Sequence, residues 1–544
     1  MSAEAYETRS GWIGVAGKVV GLALFVLLLM IDAPEGLDPV AMRLAACTAL
    51  MAVLWLTQAL PIATTSLIPL VAFPLLGIQT AREISGAYMN QNIFLYMGGF
   101  IIALGIEKWG LHRRIALHIV RVLGSGPKRV VLGFMIATAF LSMWISNTAS
   151  TLLMLPIGLA MLASLGEVTA SGEAESPDAS RSGADGRLGP LAVVLMLGIA
   201  YSASIGGLTT LVGTPTNIAF QQIWEDKFPL APQLSAGEWM IAFIPLGVVL
   251  LVCAWVALTW NLPPLENAHK LNRAFFTDRL RKLGRPSRGE LMMLTIFAGT
   301  ALLWIFRKPF AFGSQPLLPG WGELVEEMLL HLGTTPEFAA SAIHDSTVAI
   351  GMALVMFCLP GGRDSRGRAD YLMDWRTAEK LPWGILLLFG GGFAIAGAFQ
   401  QTGLSEWIGS EFADAVRGRS PVTLISAVCL LMTFLTEFTS NVATISALSP
   451  ILADASLELG LDPRFILLPA TIATSCAFML PIATPPNAII FGSGKVTMAQ
   501  MARHGFMLNL LGTVLIVAAT FLLLLPQLGI DPQILPDWAA AAQQ

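Results

Sequence analysis

The chain has 544 residues, of which 55% are hydrophobic and only 12% charged, about half the charged fraction of an average soluble protein. That composition excludes a soluble globular fold and requires a polytopic membrane protein. The formal net charge of −4, with basic residues dispersed rather than striped, argues against nucleic acid as a partner. The five cysteines, Cys47, Cys253, Cys358, Cys429 and Cys476, lie in apolar segments without CxxC or Cys/His pairing, so they are expected as small core residues, not metal or redox centres.

In chain order, apolar segments long enough to cross roughly 30 Å of hydrocarbon fall at about 15–31, 41–60, 62–78, 92–110, 190–222, 238–260, 290–307, 346–360, 383–402, 464–491 and 505–528. The first lies beside Arg9 and Lys18 and resembles a signal peptide, but Asp32-Ala33-Pro34 puts a proline where cleavage would fall. It is therefore expected to be a first span. Two further segments, 129–164 and 420–457, have polar turns at their centres and arms too short to span comfortably. Each is expected to be a re-entrant hairpin, because an irregular turn at membrane depth survives only where protein or a water-filled cavity covers its backbone.

The charges agree with that topology. With a cytoplasmic N-terminus and hairpins that do not cross, roughly three quarters of the counted loop Lys and Arg fall inside, including the clusters Lys108–Arg129, Lys270–Arg288 and Arg363–Lys380, as the positive-inside rule requires. The organisation that follows is an N-terminal tail and first helix (1–40), a first repeat (41–260), a basic cytoplasmic connection (261–289), a second repeat (290–528) and a C-terminal tail (529–544). The first repeat contains hairpin 129–164 and a Gly-, Ser- and acid-rich stretch at 166–189, expected as a flexible loop. The second contains hairpin 420–457, and the polar stretch Lys308 to Asp345 is expected outside the membrane with a short amphipathic helix near Leu324 to Leu332.

The two repeats share motifs. Phe140 to Ile157, FLSMWISNTASTLLMLPI, and Phe434 to Ile451, FLTEFTSNVATISALSPI, match at one offset (440 − 146 = 294). Upstream, Gly98-Gly99-Phe100 with Gly110-Leu111 matches Gly391-Gly392-Phe393 with Gly403-Leu404. Downstream, Thr214-Pro215-Thr216-Asn217 matches Thr484-Pro485-Pro486-Asn487 at 487 − 217 = 270, the difference reflecting the inserted stretch. An odd number of spans per unit places the copies upside down relative to each other, the arrangement of secondary transporters with a midplane site.

Ser146, Asn147, Thr148, Ser440 and Asn441 can donate to a carboxylate while side-chain and backbone oxygens of the same turns hold a cation. The proline motifs are expected to break each flanking span into two half-helices whose unwound link exposes carbonyls for Na⁺ and a helix N-terminus for an anion. Ser142 and Thr436 lie four residues before Ser146 and Ser440, on the same helical face, and serve either as extra ligands or as back-bonded hydroxyls. Glu437 is either functional, as an intramembrane acid generally is, or one half of a structural ion pair. A hydrolase would need a nucleophile with a base or paired acids, and neither grouping is present. A channel needs neither inverted repeats nor broken-helix pairs.

With these residues the chain resembles the divalent-anion:sodium symporter family, through WISNTASTLLMLPI, TEFTSNVATISALSPI, GTPTN, ATPPN and GGFIIALGIEKWGLHRRIAL. The resemblance runs over nearly the whole chain from the second span onward. It implies an all-α polytopic membrane protein of about eleven transmembrane helices plus two re-entrant hairpins in two inverted-topology repeats. It further implies a homodimer in the inner membrane, each protomer having a scaffold domain and an elevator-like transport domain. The activity implied is Na⁺-coupled import of a small dianion, a C4-dicarboxylate such as succinate, malate or fumarate, with an Na⁺-independent exchanger or a citrate or sulfate carrier as alternatives; it is not an enzyme. By similarity, one Na⁺ site comprises Ser142, Ser146, Asn147 and Gly213, and the other Thr436, Thr439, Asn441 and Ala483. Asn147, Thr148, Thr214, Ser440, Asn441, Thr484 and Pro485 would face substrate. Val442, where many members have threonine, and Thr216, in place of a second proline, depart from the pattern where specificity is decided.

Overall fold

A computed structural model describes residues 12–34, 37–123, 126–170, 177–263, 273–312, 315–363 and 366–541. Parts of the expected N-terminal tail, inserted stretch, cytoplasmic connection and C-terminal tail lie outside them. The described chain is mostly helical, with two short antiparallel ribbons, Phe310–Phe312 with Gln315–Leu318 and Pro360–Arg363 with Ala369–Tyr371.

Among the described residues, seven helical stretches are long and apolar enough to cross a membrane: Ala81–Lys108, Asn147–Ser164, Gly189–Gly207, Ala236–Thr259, Arg288–Ile305, Trp383–Gln401 and Met498–Leu528. The expected spans at 15–31, 41–60, 62–78 and 346–360 are shorter apolar helices, and 464–491 is two pieces, Pro463–Thr474 and Pro485–Gly492. Proline and unwound links divide what hydropathy alone joins. The stretch 166–189, expected as a loop, is helical on both sides of 171–176: one helix runs to Ala170 and the next begins at Pro177, with proline at the first helical position, where its missing N–H costs nothing. The amphipathic helix expected near Leu324 is Trp321–His331.

The matched motifs occupy matched structure. Helices Gln91–Lys108 and Trp383–Gln401 are each followed by a glycine with left-handed backbone, Gly110 (φ 73°) and Gly403 (φ 69°), a conformation that is cheap for glycine. Helices of 13 residues follow in both copies, Leu111–Leu123 and Leu404–Val416, and then a hairpin opening on Pro127 or Pro421. The KWG of the first copy is anchored: Lys108 pairs with Asp370 and Asp374 at 2.8 and 2.7 Å, and Trp109 donates to Leu372 O at 3.0 Å. Burial alone would raise Asp374; hydrogen bonds from Lys108 and Thr377 more than offset it and hold this carboxyl below its ordinary range.

The cysteines do not all join the core. Cys47, Cys429 and Cys476 are buried, Cys253 is half-buried and Cys358 is exposed, because its helix, Asp345–Cys358, turns one apolar face outward.

Candidate functional site: two hairpin tips and two unwound links

The first hairpin comprises Pro127–Ser142 and Asn147–Ala170, and the second Pro421–Leu435 and Asn441–Glu458. Each packs on a broken helix. The first broken helix is Pro177–Gly207 and Pro215–Lys227, whose long half lies against both arms of the first hairpin; Pro463–Thr474 lies in the same way against both arms of the second. The short halves cross over. Pro215–Lys227 packs on Asn441–Glu458, and Pro485–Gly492 packs on Asn147–Ala170, so the two units interlock around a common centre.

At the tips the geometry is duplicated. Ser142 Oγ donates to Asn147 Oδ1 at 2.6 Å, and Thr436 Oγ1 donates to Asn441 Oδ1 at 2.6 Å. The Ser142 and Thr436 hydroxyls therefore brace the tip asparagines through side-chain contacts, and neither hydroxyl makes the back-bond to a carbonyl that was one of the two expectations from the sequence. Each asparagine oxygen keeps a second lone pair, and its amide keeps two donors. Ser146, Asn147, Thr148, Thr439, Ser440 and Asn441 are half-buried, while Ser142 and Thr436 are buried. Ser146 Oγ accepts from Ala149 N at 3.3 Å. Thr439 is already engaged: it donates to Leu435 O at 3.0 Å and shares a 2.5 Å contact with Thr444 Oγ1.

The links are duplicated as well. Asn217 Nδ2 donates to Leu208 O at 3.1 Å and Thr210 O at 2.7 Å, with Gly207 O at 3.4 Å. Asn487 Nδ2 donates to Ala477 O and Leu480 O, both at 3.1 Å. The asparagine closing each proline motif thus helps satisfy link carbonyls in a dry interior, where Leu208 O also accepts from Trp239 Nε1, Thr210 O from Gly213 N and Leu480 O from Ala483 N. The sequence led to the expectation of exposed link carbonyls for Na⁺; those at 207, 208, 210, 477 and 480 accept from the asparagines. The Oδ1 atoms of Asn217 and Asn487 are buried without a partner, a second matched feature. Gly213, Thr214, Ala483 and Thr484 are buried and Pro485 is exposed. Thr484 caps its half-helix by accepting from Asn487 N at 3.4 Å, while Thr214 makes no such side-chain cap.

First tip and first link touch closely: a Cβ at Gly207 would collide with the Asn147 side-chain amide. Thr210 Oγ1 donates to Met143 O. In the second half Glu437 makes the corresponding tie to the link and has no basic partner among the described ion pairs, which corrects the ion-pair reading. The unwound link supplies backbone N–H groups that do the work of a cation. Two partners in these ties escaped the sequence reading, Thr210 and Asn509; for Asn509 the signal was an amide within the apolar run Phe506 to Ala519.

The centre offers neutral hydroxyl, amide and carbonyl oxygens, which suit a hard, weakly held cation such as Na⁺. Two basic residues at the ends of the broken helices away from the links are engaged elsewhere: Lys227 with Asp454 at 2.5 Å and Arg464 with Asp462 at 2.6 Å.

A multi-pass helical protein with paired broken helices facing paired polar tips is of the membrane-transporter class. The chain belongs to the sodium:sulfate symporter family, whose transmembrane-region model matches residues 14–525. It is 36% identical over 531 residues to a sodium-dependent dicarboxylate transporter of Staphylococcus saprophyticus, covering 96% of this chain and 94% of that one. To the protein of the same name in Staphylococcus aureus it is 37% identical over 520 residues, covering 95% and 92%. A solved structure, the YdaH transporter of Alcanivorax borkumensis, aligns over 93% of this chain and 96% of its own with 14% identity and a TM-score of 0.44, too slight a likeness to argue from.

Proposed function

We propose that the protein is a Na⁺-coupled importer of C4-dicarboxylates, such as succinate, malate or fumarate, across the inner membrane. One observation carries the reading: each tip asparagine is braced through Oδ1 by a hydroxyl four helical positions before the tip serine, leaving amide donors for a carboxylate and oxygens for a cation. A dianion held by neutral groups is costly to bury, and with Lys227 and Arg464 paired elsewhere, co-bound Na⁺ is the simplest compensation. Ser142, Ser146, Asn147 and Gly213 would ligate one ion, and Thr436, Thr439, Asn441 and Ala483 the other. Asn147, Thr148, Thr214, Ser440, Asn441, Thr484 and Pro485 would face the substrate.

In this reading the hairpins are re-entrant, the repeats inverted, and hairpins with broken helices form a transport domain that moves as an elevator against a scaffold in a lipid-embedded homodimer. The relatives' names, sodium-dependent dicarboxylate transporters, support the ion and the substrate class.

Uptake of labelled succinate into proteoliposomes with and without an inward Na⁺ gradient tests the reading, with Na⁺-dependent accumulation expected. Counterflow that runs equally well without Na⁺, together with dicarboxylate affinity unchanged across a Na⁺ titration, would leave an exchanger in its place. By linkage, substrate should raise Na⁺ affinity by the factor by which Na⁺ raises substrate affinity.

A further inference from the structure

The second tip carries a group that the first lacks. Glu437 directly follows Thr436 and is 1% exposed. Its carboxylate accepts from Met479 N and Leu480 N, each at 2.9 Å, and from Asn509 Nδ2 at 2.7 Å. Asn509 Oδ1 in turn accepts from Phe478 N at 3.2 Å. Three donors converge on Glu437 and nothing there asks it to donate, the surroundings that suit an ionised carboxylate, which can only accept. The clasp ties residues 478–480, the part of the link that leads to Ala483, to the residue beside Thr436.

The first half is built differently. Met143 stands at the matched position, and the link is held by a neutral contact, the Thr210 hydroxyl on the Met143 carbonyl. Ile145 stands where the second tip has Thr439. The two candidate cation sites therefore differ by one buried carboxylate and one hydroxyl.

We propose that Glu437 is a positioning residue for the second cation site: it locks tip to link so that Thr436, Asn441 and Ala483 stand in register to hold Na⁺. The inference rests on the Na⁺ reading above. A cation leaving water for neutral oxygens loses hydration that dipoles replace only when they stand together at the right distances, and a clasp that fixes tip against link holds them there. Glu437 does this through Thr436 and the link, without touching the ion.

The test is thermal unfolding of the purified full-length protein in detergent across a Na⁺ titration, without substrate, with choline holding ionic strength constant. The wild-type protein should be stabilised by Na⁺; no stabilisation would overturn the Na⁺ reading itself. Glu437→Gln, shown by size exclusion to be folded, should need on the order of tenfold more Na⁺ for the half-maximal shift, the effect of losing a hydrogen-bonded charge. A merely structural role would lower the melting temperature in choline and leave the Na⁺ midpoint in place, and that result overturns the proposal. If Glu437→Gln does not fold, Asn509→Ala decides: it keeps the charge but removes one contact of the clasp, and an unmoved Na⁺ midpoint is again the overturning result.

Discussion

The first hairpin and link and the second hairpin and link do the same job with different materials. Both brace the tip asparagine with a hydroxyl at 2.6 Å, and both hold link carbonyls with the asparagine of the proline motif. They differ in what ties tip to link, a neutral hydroxyl on a carbonyl in the first and a buried carboxylate on two backbone N–H groups in the second. In the Na⁺-coupled reading proposed above, the shared contacts are those that would meet the cargo, and the divergent ones lie just behind them.

The largest expected effect comes from a contact with no counterpart. Lys227 and Asp454 join the short half of the first broken helix to the second hairpin, with side chains 11% and 6% exposed; the mirrored positions are Thr497 and Ala160. Lys227→Met should destabilise the protein by about 3–5 kcal/mol, because it strands a buried carboxylate. Adding Asp454→Leu should recover most of that stability in thermal melts. A double variant as unstable as the single one would mean that the pair does more than hold the two units together.

Next come the tips. Asn147→Ala and Asn441→Ala should each weaken dicarboxylate binding by tenfold to a hundredfold, since a hydrogen bond to a charged group contributes about 1.5–3 kcal/mol. Isothermal titration in saturating Na⁺ measures the loss. The two losses should be alike, as the two bracing contacts are; near-normal binding by either folded variant breaks the equivalence of the tips.

The links should give a smaller effect. Removing a partner from a buried carbonyl costs about 1–3 kcal/mol; Leu208 O keeps Trp239 Nε1, Thr210 O keeps Gly213 N and Leu480 O keeps Ala483 N, so Asn217→Ala bears mainly on Gly207 O and Asn487→Ala mainly on Ala477 O, and the two should lower the melting temperature by similar amounts. A much larger loss in one variant would mean that its link depends on the asparagine for more than these contacts.

Smallest is Val442→Thr, which makes the second tip read Ser-Asn-Thr like the first. Val442 is 4% exposed, and one added hydroxyl contributes about 0.5–1.5 kcal/mol. Small dicarboxylates should bind somewhat tighter and citrate no tighter in competition assays, since a site made to hydrogen-bond discriminates against ligands that cannot return the bond. No change for any anion would place Val442 away from the ligand.

Much of this centre was legible in the linear chain. Polar residues in an apolar background, proline after a buried span, and the same words twice at fixed offsets are strong signals, because lipid forbids unpaired backbone and so restricts where such words can stand. The sequence by itself determined the membrane class, the two hairpins with polar tips around Ser146-Asn147-Thr148 and Ser440-Asn441, the breaks before Pro215 and Pro485, and the family; the turns themselves, Met143–Ser146 and Thr436–Ser440, with Asn147 and Asn441 opening the returning helices, were visible only in the structure. Tertiary structure alone decided the partners of these groups. Periodicity cannot show that Asn509 reaches Glu437 across 72 residues, that Asn217 turns back on its own link, or that each short half-helix packs on the other repeat's hairpin. Nor could it show that Trp538, in the C-terminal tail, packs edge-on against Trp224 and Phe228 with ring centroids at 5.3 and 5.5 Å. The physical reason is the same in each case. Local sequence sets which backbone groups are left unpaired, but the partner that satisfies them is whichever side chain the packing of distant helices brings within about 3 Å, and that is a property of the assembled fold.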